Sequence, residues 1–222
     1  MGALATIKIP AVVGVIASGR ELQSAKRMRS LPDLFELRLD FLPMLRPSDI
    51  SKLRRPLIIT ARHPLEGGNK MSANRRDLLL KFLPCARFLD LELRSLRQLR
   101  EVWVKAGRLK MLRICSVHDF AGTPGHAHLQ SQCQRARNSG ADIFKLVTRA
   151  ETSDDFFTLM QFLRISRQPT CVMAIGQFGR ASRLLFPECG SVLVYAPLHR
   201  TLYDGQLTLR ESRRWRNFYA KK

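Results

Sequence analysis

Apolar runs of strand length recur along the chain at 11–17, 34–39, 56–60, 88–93, 111–117, 143–147, 170–175 and 191–195. Between them lie polar or amphipathic stretches of helical length, among them 74–83, 96–105, 127–138 and 153–165. This alternation predicts a parallel sheet with crossover helices. Repeated over the whole length, it predicts an α/β chain folded as a (β/α)8 TIM barrel. Such barrels usually run to about 250 residues, so 222 residues require short connections. No Ser-, Gly- or Pro-rich linker divides the sequence, and one domain over 1–222 is expected. An open doubly wound sheet is the competing architecture, but the first run lacks the glycine-rich phosphate loop that such sheets carry. Helix boundaries are readable in places. Ser153 stands before Asp154 and Asp155, Thr208 and Glu211 form a capping box, and Gly107 and Gly140 are expected as left-handed stops before their strands.

Within the runs, five ionisable residues stand at or near strand ends: Arg38, Arg62, Glu92, His118 and Lys145, at intervals of 24, 30, 26 and 27 residues. A strand plus a helix has that length, and in a parallel barrel every strand end opens on the same face. Residues two apart share a side of a strand, so Glu36 accompanies Arg38, Asp90 accompanies Glu92 and Ser116 accompanies His118. Polar groups inside a barrel are costly unless paired or functional. Lys145 sits in the apolar run Ala141, Asp142, Ile143, Phe144, Lys145, Leu146, Val147. A lysine there must find a partner, reach solvent or lose its proton, and the last option makes a nucleophile. Carboxylate, imidazole and amine on three successive strands suit acid/base chemistry joined to a Schiff base. Read singly, each is more often structural than catalytic; the ordered set, at a spacing that matches the fold, points to chemistry.

Composition narrows the partners. The formal charge is +20 and the pI about 11.0, which favours anionic partners. The arginines are dispersed from Arg20 to Arg216 and no nucleic-acid-binding signature appears, so an acidic small molecule is expected over nucleic acid. No apolar stretch approaches the roughly 20 residues that span a bilayer. The run 9–17 follows Lys8 and imitates the apolar part of a signal peptide, yet the repeat needs it as the first strand. Residues 1–6 fit a loose myristoylation pattern too permissive to carry weight. Five unpaired-looking cysteines suit buried thiols in a reducing compartment, hence a cytoplasmic protein. His126 and His128 read as a solvated loop beside a Thr-Pro-Gly turn, and no metal site is expected. A homodimer is an assembly the sequence leaves open.

At these residues the sequence resembles the type I 3-dehydroquinate dehydratases. Glu36, Leu37, Arg38, Leu39, Asp40 resembles the family's Glu-x-Arg-x-Asp, and Arg62 with Glu66, Gly67, Gly68 its third-strand arginine and Glu-Gly-Gly loop. Asp90 to Leu93 is similar to the fourth-strand motif, His118, Asp119, Phe120 to its His-Asp-Phe, and Ala141 to Lys145 to the imine-lysine segment. Ser182, Arg183, Leu184 and Gly205, Gln206 resemble its last two motifs. The resemblance implies a barrel that dehydrates 3-dehydroquinate to 3-dehydroshikimate, in the shikimate pathway, without metal or cofactor. It implies an imine at Lys145, with His118 taking the C2 proton and protonating the C1 hydroxyl, and Glu92 orienting His118. Arg183 and Gln206 would hold the substrate carboxylate, and Glu36, Arg38 and Arg62 its hydroxyls. Arg38 and Arg62 would also favour a neutral Lys145. Leu202, Tyr203 and Asp204 depart from the family's small residues and proline before Gly205, with Asp204 expected near the anion site, and Ile175 replaces a methionine. Two further classes fit the residues: another Schiff-base lyase or aldolase on the same barrel, and a basic nucleic-acid-binding protein on a degenerate one.

Overall fold

The computed structural model describes residues 9–69, 74–199, 201 and 203–219, with side chains described through 214. Among the described residues, eight parallel strands and seven α-helices alternate. The strands are β1 (Ala11–Ile16), β2 (Leu34–Arg38), β3 (Leu57–Thr60), β4 (Phe88–Glu92), β5 (Leu112–Asp119), β6 (Ile143–Arg149), β7 (Thr170–Ile175) and β8 (Leu193–Pro197). The helices are α1 (Gly19–Arg27), α2 (Arg75–Phe82), α3 (Arg100–Arg108), α4 (His126–Asn138), α5 (Ser153–Ile165), α6 (Gly179–Leu185) and α7 (Leu209–Tyr219). Each strand pairs in parallel with its sequence neighbour, and β1 also pairs with β8. The last seam, between β7 and β8, is held by a bridge at Thr170 and Ser191, with the Val192 N–H on the Thr170 carbonyl at 3.0 Å. The expected barrel is therefore present and nearly closed.

The period-2 alternation sorts side chains into two layers. Outward positions such as Phe35, Leu37, Leu89, Leu91, Phe144 and Leu146 pack under the helices. Inward positions near the strand starts, including Val13, Leu34, Ile58, Phe88, Leu112 and Ile143, fill the barrel interior. Two residues further along, Glu36, Thr60, Asp90 and Lys145 make the interior polar on β2, β3, β4 and β6, while Val15 and Ile114 keep it apolar on β1 and β5. This layering is why Glu36 and Arg38, Asp90 and Glu92, and Lys145 are all buried.

Local signals were partly displaced by tertiary contacts. The α5 cap is Thr152, one residue before Ser153; its hydroxyl accepts the Asp155 N–H, and Asp155 returns the bond to Thr152 N. Thr208 and Glu211 form the expected box, with Thr208 N donating to Glu211 Oε2 at 2.8 Å. Gly140 takes the left-handed conformation (φ 79°), but Gly107 remains inside α3 and Lys110 (φ 55°) makes the turn into β5. The segment expected to begin a helix at 96 instead opens with a 3-10 turn over Leu93–Ser95, where the Ser95 hydroxyl bonds Glu92. His126 starts α4 with its ring edge-on to Phe162, so the loop reading of that histidine is corrected. Of the cysteines, all free, Cys115 and Cys171 are buried as expected whereas Cys85 is exposed. The myristoylation-like residues 1–6 and Leu202 lie outside the described residues.

Candidate active site

The C-terminal ends of the strands surround a cavity of about 70 Å³. Glu36, Arg38, Arg62, His118, Lys145, Arg183 and Gln206 all line it, together with Glu66, Phe120, Tyr195 and Tyr203. Glu92 is absent from that lining. It lies behind Arg62, with Oε1 accepting from the His63 N–H at 2.9 Å and from Arg62 at 3.3 Å, while Oε2 accepts from Arg75 and from Ser95 Oγ. Burial pushes the Glu92 carboxyl up, but Arg62 and Arg75 outweigh it and hold it below the usual range.

Lys145 projects inward from β6, beside Ser116 in the β5 register. Its Nζ donates to Asp90 Oδ2 at 2.9 Å, lies 3.5 Å from Glu36 Oε1, and sits 3.8 Å from the centre of the Tyr195 ring. Arg62 binds Asp90 through both terminal nitrogens, at 3.0 and 2.8 Å, and donates to Ser116 Oγ at 2.6 Å. Burial pushes the Asp90 carboxyl up, yet Arg62 and Lys145 reverse this and hold it far below the ordinary carboxylate value. Arg38 is also engaged: it makes a two-pronged contact with Asp40, at 3.0 and 2.8 Å, and donates to the Gly67 carbonyl at 2.9 Å. Both guanidiniums face carboxylates of their own.

His118 extends from β5 two residues beyond Ser116. Its side chain is 9% exposed, and Nδ1 lies 3.0 Å from Glu66 Oε2, which also accepts the His118 backbone N–H at 2.9 Å. The expected partner of His118 was Glu92; the observed one is Glu66. The reason is the Glu-Gly-Gly turn. Gly67 adopts φ 80°, and a Cβ on Gly68 would stand 2.0 Å from the Arg62 carbonyl oxygen, so only glycine lets the turn fold back and carry Glu66 over the barrel mouth. Arg94 Nε holds the other Glu66 oxygen at 3.1 Å. Burial, with Glu92 nearby, pushes the Glu66 carboxyl up to about 7. Burial, with Arg62 and Lys145, drives the His118 imidazole well below its ordinary value. A neutral imidazole with Nδ1–H on Glu66 leaves Nε2 able to accept a proton at neutral pH.

On the far wall, Arg183 is buried on α6. One terminal nitrogen donates to the carbonyls of Ala174, Gly179 and Gly205, while its Nε has no partner among the described residues. Burial lowers this guanidinium to about 10. Gly205 (φ 75°) comes so close to Gly179 that a Cβ on either would clash with the other's backbone, which fixes Gln206 beside Arg183. Asp204, expected near the anion site, is exposed and does not line the cavity. Tyr203 does line it, stacked on Phe120 with centroids 5.2 Å apart, and partly covers the mouth.

A family model for type I 3-dehydroquinase matches residues 13–222. The chain belongs to that family. Its relatives include the 3-dehydroquinate dehydratase of Thermodesulfovibrio yellowstonii, 32% identical over 91% of this chain and 92% of that protein. The enzyme of the same name from Methanocella arvoryzae is 32% identical over 87% and 90%. Among solved structures, the 3-dehydroquinate dehydratase of Aquifex aeolicus superposes with a TM-score of 0.83 at 24% identity, over 96% of this chain and 100% of that one. The type I enzyme of Clostridium difficile gives 0.84 at 22%, over 96% and 93%. These likenesses show that the barrel is the type I 3-dehydroquinase barrel. The sequence puts Asp90 inside with Glu92 and Glu66 before two glycines, but the pairing of Asp90 with Lys145, of Glu66 with His118, and the Tyr195 ring beside Lys145 emerge only in the fold. Asp90 carried a signal, its place two before Glu92; Glu66 carried only the glycines that follow it.

Proposed function

We propose that this chain is a hydro-lyase that converts 3-dehydroquinate to 3-dehydroshikimate through an imine on Lys145. The observation that carries the reading is that a buried lysine, a histidine bound through Nδ1 to Glu66 and a buried arginine line one narrow cavity. Lys145 must shed a proton to attack the C3 carbonyl, and Asp90 is the carboxylate beside it. Addition and loss of water give a protonated imine, whose positive charge acidifies the C2–H bond. His118 Nε2 takes that proton. The resulting enamine expels the C1 hydroxyl, which leaves as water with the proton that His118 returns, and hydrolysis frees Lys145. Glu66, in place of Glu92, orients His118 and stabilises its cation. Arg183 and Gln206 hold the substrate carboxylate, with Glu36, Arg38 and Arg62 around its hydroxyls; Glu92 keeps Arg62 in place.

The imine itself is the electron sink, so the reading requires no metal or organic cofactor. It takes residues 1–222 as one catalytic domain, cytoplasmic, with the small molecule as its main partner. Homodimer formation is a separate question that sedimentation would answer. Among the described residues no helix is long and apolar enough to cross a membrane.

The test is borohydride reduction in the presence of 3-dehydroquinate, followed by mass mapping. The adduct is expected on Lys145, and Lys145→Ala is expected to abolish both adduct and turnover. An adduct on another lysine overturns the assignment. Turnover of a sugar phosphate instead of 3-dehydroquinate would favour the aldolase reading.

A further inference from the structure

A subset of the basic residues, far apart in sequence, shares one face of the barrel. In a parallel barrel every helix returns the chain to the same end, so the connections that precede successive strands share the face opposite the cavity. Exposed Arg29 precedes β2, Lys52, Arg54 and Arg55 precede β3, and Arg87 precedes β4. These are neighbours: Arg54 donates to the Met28 carbonyl at 2.7 Å, and Arg55 and Arg87 line one groove of about 540 Å³ between the segments around 47–57 and 84–87. Around the same face, exposed Lys110 precedes β5, Arg137 ends α4 and Arg167 precedes β7. Arg137 and Arg167 line a second groove, of about 510 Å³, between α4 and α5, beside Gln134 and Gln168.

Carboxylates on this face are already engaged. Asp33 accepts the Val12 N–H and Asp142 the Arg113 N–H, and Asp49 pairs with Arg46. Glu188 is the exposed exception. Among the described residues none of Arg29, Arg55, Arg87, Arg137 and Arg167 forms an ion pair. Cations in a helix's last turn are favoured by the helix dipole, which accounts for Arg137. It does not account for arginines in the connections. Nor does the active site, which opens on the other face and has its own arginines.

We propose that this N-terminal face of the barrel is a second binding surface, which takes the phosphate backbone of a polynucleotide. Arginine outnumbers lysine on it, and the guanidinium fork matches phosphate oxygens where an ammonium offers a point charge. A membrane would call for aromatic or broad apolar anchors, whereas the exposed large apolar side chains described on this face are the aliphatics Ile9, Leu109, Ile165 and Leu185. A second copy docked by the same face would set cations against cations.

Fluorescence anisotropy with a labelled oligouridine tests this, alongside sedimentation with phosphatidylserine vesicles. The protein is expected to bind the oligonucleotide at about 50 mM salt, with log K falling by about 0.7 per log unit of salt for each phosphate engaged. The triple variant Arg29→Glu, Arg55→Glu, Arg87→Glu is expected to weaken binding at least tenfold and to flatten that slope by about 2. The corresponding triple glutamine variant should fall between it and the natural protein. Both should keep the natural circular dichroism spectrum and 3-dehydroquinate turnover. Absence of oligonucleotide binding, binding indifferent to both triple variants, or binding to vesicles alone would overturn the proposal.

Discussion

The lower and upper halves of the barrel interior are built by the same strands on the same alternation, yet they obey different rules. Leu34 lies below Glu36 on β2, Phe88 below Asp90 on β4, and Ile143 below Lys145 on β6. In the lower half the interaction is burial of apolar area, which is non-directional and tolerates swaps that conserve volume. In the upper half the charges borne by the strands and their ends are held by opposite ones, Lys145 by Asp90 and Glu36 and Arg62 by Asp90 and Glu92, with Arg75 of α2 on Glu92 behind them. Removing one member there leaves its partner buried and uncompensated, which is costly whatever the volume. Two residues of strand separate the half that supports the fold from the half built for chemistry.

Beyond the loss of all turnover in Lys145→Ala, the sharpest test of that division is His118→Ala. Loss of the proton carrier should lower kcat by roughly 10² to 10⁴ or more while the imine still forms, so that borohydride traps an accumulated adduct. Turnover at the natural rate would remove His118 from acid/base chemistry. Its unfolding midpoint is expected to fall only modestly, because Glu66 keeps the His118 backbone N–H on one oxygen and Arg94 on the other.

Phe88→Ala should do the reverse. Phe88 is wholly buried in the lower interior, and its truncation is expected to cost about 3–5 kcal/mol in urea unfolding, with KM unchanged in the folded fraction. If it changed KM as strongly as stability, the two halves would not be separable.

Arg183→Ala is expected to raise KM far more than it lowers kcat, by about 2–5 kcal/mol of binding, because a desolvated carboxylate loses a charge-assisted partner. Steady-state kinetics distinguish this from a fall in kcat alone, which would place Arg183 nearer the reacting atoms.

The smallest expected effect is the most specific. Burial raises the Glu66 carboxyl from 4.5 to about 7, so between those pH values the folded protein keeps a proton that the unfolded chain has released. This contribution to stability is present at low pH and is lost as pH rises through about 7. His118, depressed below 6.5, acts in the opposite sense: its contribution is present above 6.5 and lost as pH falls through its lowered folded value. Glu66→Gln should remove the first slope and leave the second. Unfolding midpoints measured across about pH 4.5 to 7 would show this, and an unchanged profile would mean that Glu66 does not hold that proton.

The sequence alone determined the eight-fold alternation, the side of each strand on which a residue falls, and the gathering of Arg38, Arg62, His118 and Lys145 at one mouth. Those features depend on local periodicity and on strand-plus-helix spacing, both written into neighbouring residues. Only the tertiary structure decided which groups meet. Period 2 places Glu92 and Asp90 inside alike, but the turn forced by Gly67 and Gly68 gives His118 to Glu66, and the β4–β5–β6 register gives Lys145 to Asp90. The basic face follows the same logic. Its arginines lie tens of residues apart, and charges so separated in sequence become one surface only when parallel strands return every connection to the same end.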